Sequence, residues 1–394
     1  MAQGYVDPQF EVVPERRTVT AHFRLQERDR SAIGWQIFDP ETSTFISEGE
    51  WQPAAKDNVT VAVQLPQARG RYHVYVSEVD EERGWAYAHG RKFVLIDATV
   101  EQGRATLNEG MVTTLAALRR RRLGDSVRRF FTLPIRGIAG NLSLIRSMVR
   151  RDILARYRGS FGDVVWTILN PLLLMATYYF VFGVVLRTRF GADSSRSGFV
   201  LYFLAGMMPW LAFSEAVGRS PHVILEYRNF VKKLVFPVET LPVNLVISGL
   251  VTELFALLIF NVFLLAARGG IPLTALWIPI ILIPQVLLTT GLCWLLSATG
   301  VYIRDLGQVM GFLLTLWFFL TPICYPETAL PAGALPFLTR NPIFVLVRAY
   351  RSVLLESHAP DWQSLTALAA FSLLVFFLGH AWFYKLRKSF ADVI

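Results

Sequence analysis

Two patterns of apolar and polar positions divide this chain. Between residues 17 and 107 they alternate with period two. Examples are Thr18-Val19-Thr20-Ala21-His22-Phe23, Gly34-Trp35-Gln36-Ile37-Phe38, Val59-Thr60-Val61-Ala62-Val63, Tyr72-His73-Val74-Tyr75-Val76 and Phe93-Val94-Leu95-Ile96. Turn material separates them, as at Asp39-Pro40, Leu65-Pro66, Arg69-Gly70 and His89-Gly90. Short strands recurring about every 10 residues predict an antiparallel, immunoglobulin-like β-sandwich. From Val164 to Tyr384 the pattern becomes a series of long apolar runs with charges confined to short joints. A helix needs roughly 20 mostly apolar residues to cross the hydrocarbon core. Lipid offers the backbone no water, so such runs must be helical.

The apolar runs predict an α-helical membrane domain of six transmembrane helices, at about 163–187, 198–218, 240–267, 272–301, 306–325 and 362–385. Residues 326–358 carry Pro326, Pro331, Pro336 and Pro342, and their apolar stretches are too short to cross. They are predicted as re-entrant helices dipping in from one side. In 137–160, Ile138, Leu142, Ile145, Met148, Val149, Ile153 and Leu154 recur at helical spacing, with Arg146, Arg150, Arg151, Arg156 and Arg158 between them. That is an amphipathic helix suited to the plane of the membrane interface. Residues 111–136 hold Arg119-Arg120-Arg121-Arg122 and Arg128-Arg129 and are predicted as a basic linker at the membrane surface. The predicted domains are therefore 1–110, 111–136, 137–160 and 161–394.

Charge sharpens this division. Residues 1–118 hold 12 Lys and Arg against 17 Asp and Glu, whereas 119–394 hold 27 against 13. The basic excess lies beside the membrane, which fits orientation and anionic-lipid contact and argues against nucleic acid as a partner. The joints around 146–158, 219–233, 304 and 385–388 carry 13 Lys and Arg, and the opposite joints 7. The first set is expected on the cytoplasmic side, together with both termini. Met1 to Glu15 is polar and acidic and does not read as a secretory signal, so the β-domain is expected in the cytoplasm.

The chemistry is sparse. The sequence has no Gly-Lys pair, hence no Walker A phosphate loop, and no His-Glu-x-x-His or Gly-x-Ser-x-Gly. Cys293 and Cys324 both sit in apolar runs without metal-ligand spacing. An enzyme is not expected, and neither a metal nor a cofactor on this chain. Energy for active transport has to come from another polypeptide. Glu253 is the sharpest intramembrane charge and a functional candidate, although a hydrogen-bonded packing role explains it equally simply. So few ionisable groups argue against a proton-coupled pump. Aromatics are abundant in the spans, among them Trp166, Tyr178, Tyr179, Phe182, Trp317, Phe318 and Tyr325. Aromatic faces suit a sliding sugar polymer, while interfacial belts and packing are the ordinary alternatives. The joint at 219–242 is predicted to form a short helix near 222–230 with charged and aromatic faces for a partner's groove.

Several motifs in order resemble one family: Arg156-Tyr157-Arg158-Gly159-Ser160, Leu169-Asn170-Pro171-Leu172, Gly206-Met207-Met208-Pro209-Trp210, Lys232-Lys233-Leu234-Val235-Phe236-Pro237, Val301-Tyr302-Ile303-Arg304-Asp305, Thr321-Pro322-Ile323-Cys324-Tyr325-Pro326, Asn341-Pro342, and the tail Lys388 to Ile394. From about Arg146 to Ile394 the chain resembles permease subunits of ABC exporters for polysaccharides, the O-antigen, capsule and teichoic-acid group. The resemblance implies an inner-membrane homodimer bound to two ATPase subunits that carry ATP and magnesium. It implies export of a lipid-linked polysaccharide through a channel lined partly by the aromatics named above. Arg150, Arg151, Arg156 and Arg158 on a gating interface helix would meet the anionic head group. Glu226, Tyr227, Arg228, Phe230, Arg304 and Asp305 would couple to the ATPase. The sequence departs from the family at Phe161-Gly162-Asp163, where Phe-Leu-Gly is expected, and in its β-domain, which is unusual for such permeases. The alternative reading is an ABC permease for a lipid or small hydrophobic compound.

Overall fold

A computed structural model of the chain describes residues 5–25, 32–40, 44–53, 58–156, 173, 177, 180, 181, 185, 196–233, 236–327, 333 and 338–394. The predicted first span lies almost wholly outside the described residues, as does much of 328–337. By internal contact the chain divides into two units, Met1–Arg129 and Phe130–Ile394.

The first unit is built of two antiparallel sheets. One has the order β1 (Tyr5–Val13), β2 (Thr18–Leu25), β6 (Asn58–Gln64). The other has the order β10 (Arg104–Thr113), β9 (Phe93–Glu101), β7 (Gly70–Asp80), β3 (Ala32–Phe38), β4 (Phe45–Glu48), with the short β5 (Gln52–Pro53) on β3 and β8 (Gly84–Trp85) on β7. Period two places Val19, Ala21, Val61 and Val63 of the first sheet in one core with Ile33, Ile37, Val74, Val76 and Ile96 of the second. Near the start of β7 the Tyr72 hydroxyl donates to the Ala68 carbonyl at 2.8 Å.

Strand β7 is buried on both faces from Tyr72 to Val79. Its second face is covered because Tyr75, Phe93 and Leu95 pack with Tyr87 and with Leu115 and Leu118 of helix α1 (Leu115–Ala139). This corrects the predicted linker. Residues 111–113 end β10, and most of the rest is helix, since Leu115 and Leu118 bury an apolar stripe. The basic run serves this packing. Arg121 makes two bonds to Glu109 at 2.9 and 3.0 Å, and Arg122 meets His73 Nδ1 at 3.1 Å. On the same sheet face the register pairs His73 with Asp97. Asp97, 4% exposed, accepts hydrogen bonds from Arg71 and from Asn108 Nδ2 at 3.1 Å. Burial alone would raise its pKa, but Arg71, His73 and Asn108 outweigh burial and hold the carboxyl well below the ordinary range.

In the second unit, four helices among the described residues are long and apolar enough to cross a membrane: Val200–Glu226, Thr240–Arg268, Leu273–Gly300 and Trp362–Ser389. Their α-helical parts are α3 (Arg196–Arg219) with α4 (Val223–Glu226), α6 (Thr240–Arg268), α7 (Ile278–Gly300) and α10 (Trp362–Leu386); α5 (Arg228–Lys233) lies between α4 and α6. The predicted span at 306–325 is instead the 15-residue helix α8 (Leu306–Leu320), about 22 Å long at 1.5 Å per residue. It stops because Pro322 pushes Thr321 into the extended region, at φ −100° and ψ 128°. Helices α2 (Leu142–Arg156), α9 (Pro342–Leu354) and α11 (Phe390–Val393) also belong to this unit.

Helix α6 shows how the bundle sorts its faces. Glu253, Leu257, Phe260 and Leu264 are buried at helical spacing, while Leu254, Phe255, Leu258, Ile259 and Val262 point outward. Helices α7 and α10 cross closely enough that Gly291 and Gly379 each face the other helix's backbone, where a β-carbon on either would collide.

The Asp97 contacts predict a measurable loss. Because its folded pKa is depressed, its stabilisation is complete above the unfolded carboxyl range and falls away as pH drops through and below it. At neutral pH, Asp97→Asn should cost about 2 kcal/mol, so β7 and β9 amides should exchange hydrogen about thirtyfold faster in the full chain. Unchanged protection would show that the cluster does not hold the sheet.

Candidate functional site

Two sites in the helical unit gather polar or aromatic side chains, one at the joint between α3 and α6 and one inside the bundle.

The joint begins at the C-terminal end of α3. Ser220–His222 form a 3-10 turn, followed by the short helices α4 and α5. The predicted helix near 222–230 is thus two helices broken at Tyr227, which adopts φ −99° and ψ 19°. Ser220, Pro221, Val223 and Ile224 are buried and fix the joint from beneath. Glu226 and Arg228 are exposed, and Phe230 is 41% exposed. Helix α2 lies alongside. Its Ile145, Met148 and Val149 are buried in the core, while Arg146, Arg150 and Arg151 are exposed. Asp152 pairs with Arg219 at 3.3 Å, tying α2 to the end of α3. The Arg151 guanidinium lies over the Tyr227 ring, 5.2 Å from its centre. Between α2 and the joint is a cavity of about 250 Å³. The turn from Val301 to Leu306 belongs to the same neighbourhood. Gly300 packs on Pro221 and Gly307 on His222, and Arg304 and Asp305 stand exposed between them. The structure therefore sets Arg151 over Tyr227, and the turn that carries Arg304 and Asp305 beside Pro221 and His222. Arg156 ends α2, and Arg158 lies outside the described residues.

The second site gives Glu253 its partners. Tyr350 of α9 donates to Glu253 Oε1 at 2.6 Å, and Gln285 of α7 donates to Oε2 at 2.7 Å. Tyr350 also reaches Gln285 Oε1 at 3.1 Å. All three side chains are buried. The next residue, Arg351, is 2% exposed and donates to three carbonyls: Pro322 at 2.8 Å, Ile323 at 3.0 Å and Tyr202 at 3.2 Å. Gly206 makes room for it, since a β-carbon there would press on the guanidinium at 3.0 Å. Asn341 caps α9 by accepting from the Ile343 amide at 3.0 Å, with Pro342 as the first helical residue. The same oxygen accepts from Trp317 Nε1 at 2.9 Å, and Asn341 Nδ2 donates to Thr321 at 3.0 Å.

The predicted aromatics divide accordingly. Phe318 is buried against Trp210, with ring centres 5.5 Å apart, and half-buried Trp317 packs edge-on to Phe213 at 5.3 Å. The Tyr325 hydroxyl donates to the Phe319 carbonyl at 2.7 Å. Trp166, Tyr178, Tyr179 and Phe182 lie outside the described residues. Sequence reasoning missed Arg351, Tyr350 and Gln285. Arg351 looked like one more joint charge. Its signal was weak but present: an arginine within the run from Ile343 to Leu355, on the face shared with Val347 and Leu354.

A model of the ABC-2 type transporter family matches residues 143–355, from the start of α2 through α9. The chain is 33% identical over 253 residues to the O-antigen export system permease protein RfbA of Myxococcus xanthus, covering 64% of this chain and 95% of that protein. It is 27% identical over 252 residues to RfbA of Klebsiella pneumoniae, again 64% and 95%. The polysialic acid transport protein KpsM of Escherichia coli is 23% identical over 250 residues, covering 62% of this chain and 93% of KpsM.

Removing the Tyr350 hydroxyl leaves Glu253 with one donor fewer in a buried place. Tyr350→Phe should lower stability in detergent by about 1–2 kcal/mol, and Glu253→Leu in the same background should add little more at this contact. Additive losses in a thermal-unfolding double-mutant cycle would show that the pair is not coupled.

Proposed function

The chain belongs to the ABC-2 type transporter family, and from that membership and its relatives we propose that it is the transmembrane permease of an ABC exporter for a polysaccharide. It is a multi-pass membrane protein and not itself an enzyme. The observation that carries this reading is the similarity to an O-antigen export permease over 95% of that protein's length, beside a family match at 143–355 that takes in both the joint and the buried Glu253–Arg351 region.

The finer reading follows the residues. In this reading the chain crosses the inner membrane six times, with both termini in the cytoplasm. Two copies pair and bind two ATPase subunits, which hold ATP and magnesium. Glu226, Tyr227, Arg228 and Phe230, with Arg304 and Asp305, form the surface that meets the ATPase, since one end of the bundle presents them together. Closure of the ATPase displaces this joint and opens the path. Arg150, Arg151, Arg156 and Arg158 attract the anionic head of a lipid-linked polysaccharide at the cytoplasmic leaflet. The polymer then slides past aromatics that include Trp166, Tyr178, Tyr179, Phe182, Trp317, Phe318 and Tyr325. The re-entrant segment at 326–358, with α9 in it, sits on the far side.

The β-unit is read as immunoglobulin-like. The strand orders β1-β2-β6 and β9-β7-β3-β4 follow that topology, with β10 added at an edge. Trp35 stands on the strand where that fold carries its tryptophan. The Tyr72 to Ala68 bond at the start of β7 is a tyrosine corner.

Coexpression with a candidate ATPase subunit tests the function. A copurified complex should hydrolyse ATP faster when a lipid-linked glycan is added. Stimulation by small hydrophobic compounds and not by glycan would overturn the polysaccharide reading. Within that complex, Arg156→Glu combined with Arg158→Glu should lower export at least tenfold while assembly persists. Undiminished export would remove these arginines from head-group binding.

A further inference from the structure

Arg151 stands apart from the other arginines of α2. Consecutive helical positions point about 100° apart, so Arg150 and Arg151 face different surroundings. Arg151 lies over the Tyr227 ring and with it walls the cavity of about 250 Å³. The remaining lining is largely apolar: Leu144 and Met148 from α2, Phe230 and Phe236 from the joint, with Ser147 at the edge. A cation held over a ring face spends none of its N–H donors on hydrogen bonds there, and a guanidinium's donors match two phosphate oxygens. Among the described residues no carboxylate pairs with Arg151; the adjacent Asp152 is taken by Arg219. Arg146 and Arg150 on α2, and Arg228 and Lys232 on α5, are exposed around it.

The size and lining limit the occupant. The cavity is smaller than the usual pocket for a whole organic ligand and is apolar beneath one cation. It fits a length of hydrocarbon chain, with an anion at the mouth. A sugar ring finds few hydrogen-bonding partners there. A basic amphipathic helix such as α2 lies where bilayer phospholipids are the most abundant molecules of this chemistry.

We propose that this cavity holds an anionic phospholipid of the surrounding bilayer, its phosphate on Arg151 and part of an acyl chain between Met148 and Phe236. The lipid bridges α2 and the α4–α5 joint, touching the interface helix and the segment proposed to meet the ATPase. Its binding then favours the arrangement in which the two lie together, and by linkage any partner that moves the joint changes the lipid's affinity by the same factor. The inference rests on the membrane reading of the helical unit, is independent of polysaccharide as cargo, and takes Arg151 out of the cargo head-group set, leaving Arg150, Arg156 and Arg158 in it.

Native mass spectrometry of the permease–ATPase complex in detergent tests it, with dioleoylphosphatidylglycerol as probe and the matching phosphatidylcholine as neutral control. One phosphatidylglycerol per permease should remain bound at concentrations where phosphatidylcholine does not. Arg151→Gln should weaken retention at least tenfold, and so should Ser147→Trp, which fills the cavity while leaving every charge in place. Arg146→Gln, on the same helix but outside the cavity, should change it less than twofold. Equal losses in Arg146→Gln and Arg151→Gln would reduce the effect to general surface charge and overturn the site, as would full retention in Ser147→Trp. Preference for a polyprenyl pyrophosphate that displaces phosphatidylglycerol would assign the cavity to cargo and overturn the proposal. Retention by the free permease but not by the complex would show that the ATPase covers the cavity, with the same consequence. The lipid count needs no transport, so a failed export assay leaves it intact.

Discussion

Inside an apolar bundle, a chain that leaves the helix must still satisfy its carbonyls, and Arg351 does so where α8 ends. Pro322 breaks the helix, and the carbonyls of Pro322 and Ile323 turn inward with no helical amide to meet them. One guanidinium answers both and reaches the Tyr202 carbonyl of α3 as well. Much else follows from this placement. Gly206 has to be small, because the guanidinium lies against it. Helix α9 has to run along α3, which carries Tyr350 to Glu253 and Gln285 on the other side. Asn341 then starts α9 while gripping Trp317 and Thr321. The motifs around Gly206, Thr321-Pro322 and Asn341-Pro342, far apart in the chain, are parts of one packing solution.

What the sequence made legible was local, and what it hid was pairing. Apolar runs longer than a bilayer needs announced α6, α7 and α10 without help from neighbours, and period two announced the strands. The α8 boundary was readable in principle, because Pro322 forbids helix at Thr321, but a run that continues apolar to Tyr325 invites extending it. The helix α1 was hidden for a different reason. Four consecutive arginines look like a linker until Leu115 and Leu118 are seen covering Tyr75, Phe93 and Leu95. Glu253 was visible as an oddity, and its partners were not, since spacing assigns a residue to a face and never to a neighbour. Arg351 was the costliest miss, because a buried arginine and a loop arginine look alike when the carbonyls that receive it lie 28, 29 and 149 residues away.

The two sites differ in how their polar and ionic contacts are closed. Around Glu253 and Arg351, donors and acceptors are matched within one chain, and each is buried. Burying a charge is costly unless its bonds are complete, so displacing α9 would expose several unmet groups at once. This region is built to stay in place. The joint is the reverse. Its helices α4 and α5 have four and six residues, too few for much internal hydrogen bonding. They are held by the buried turn at Ser220–Val223 below and by α2 beside them, through one cation over a ring and an incompletely filled cavity. Contacts of that kind change partners at little cost, and segments that move are drawn from such weakly held parts of a fold. A push delivered at Phe230 therefore meets resistance from the buried turn beneath and compliance at α2. Under the proposed coupling, motion at this end would pass to α2, while the closed network around α9 would hold its place.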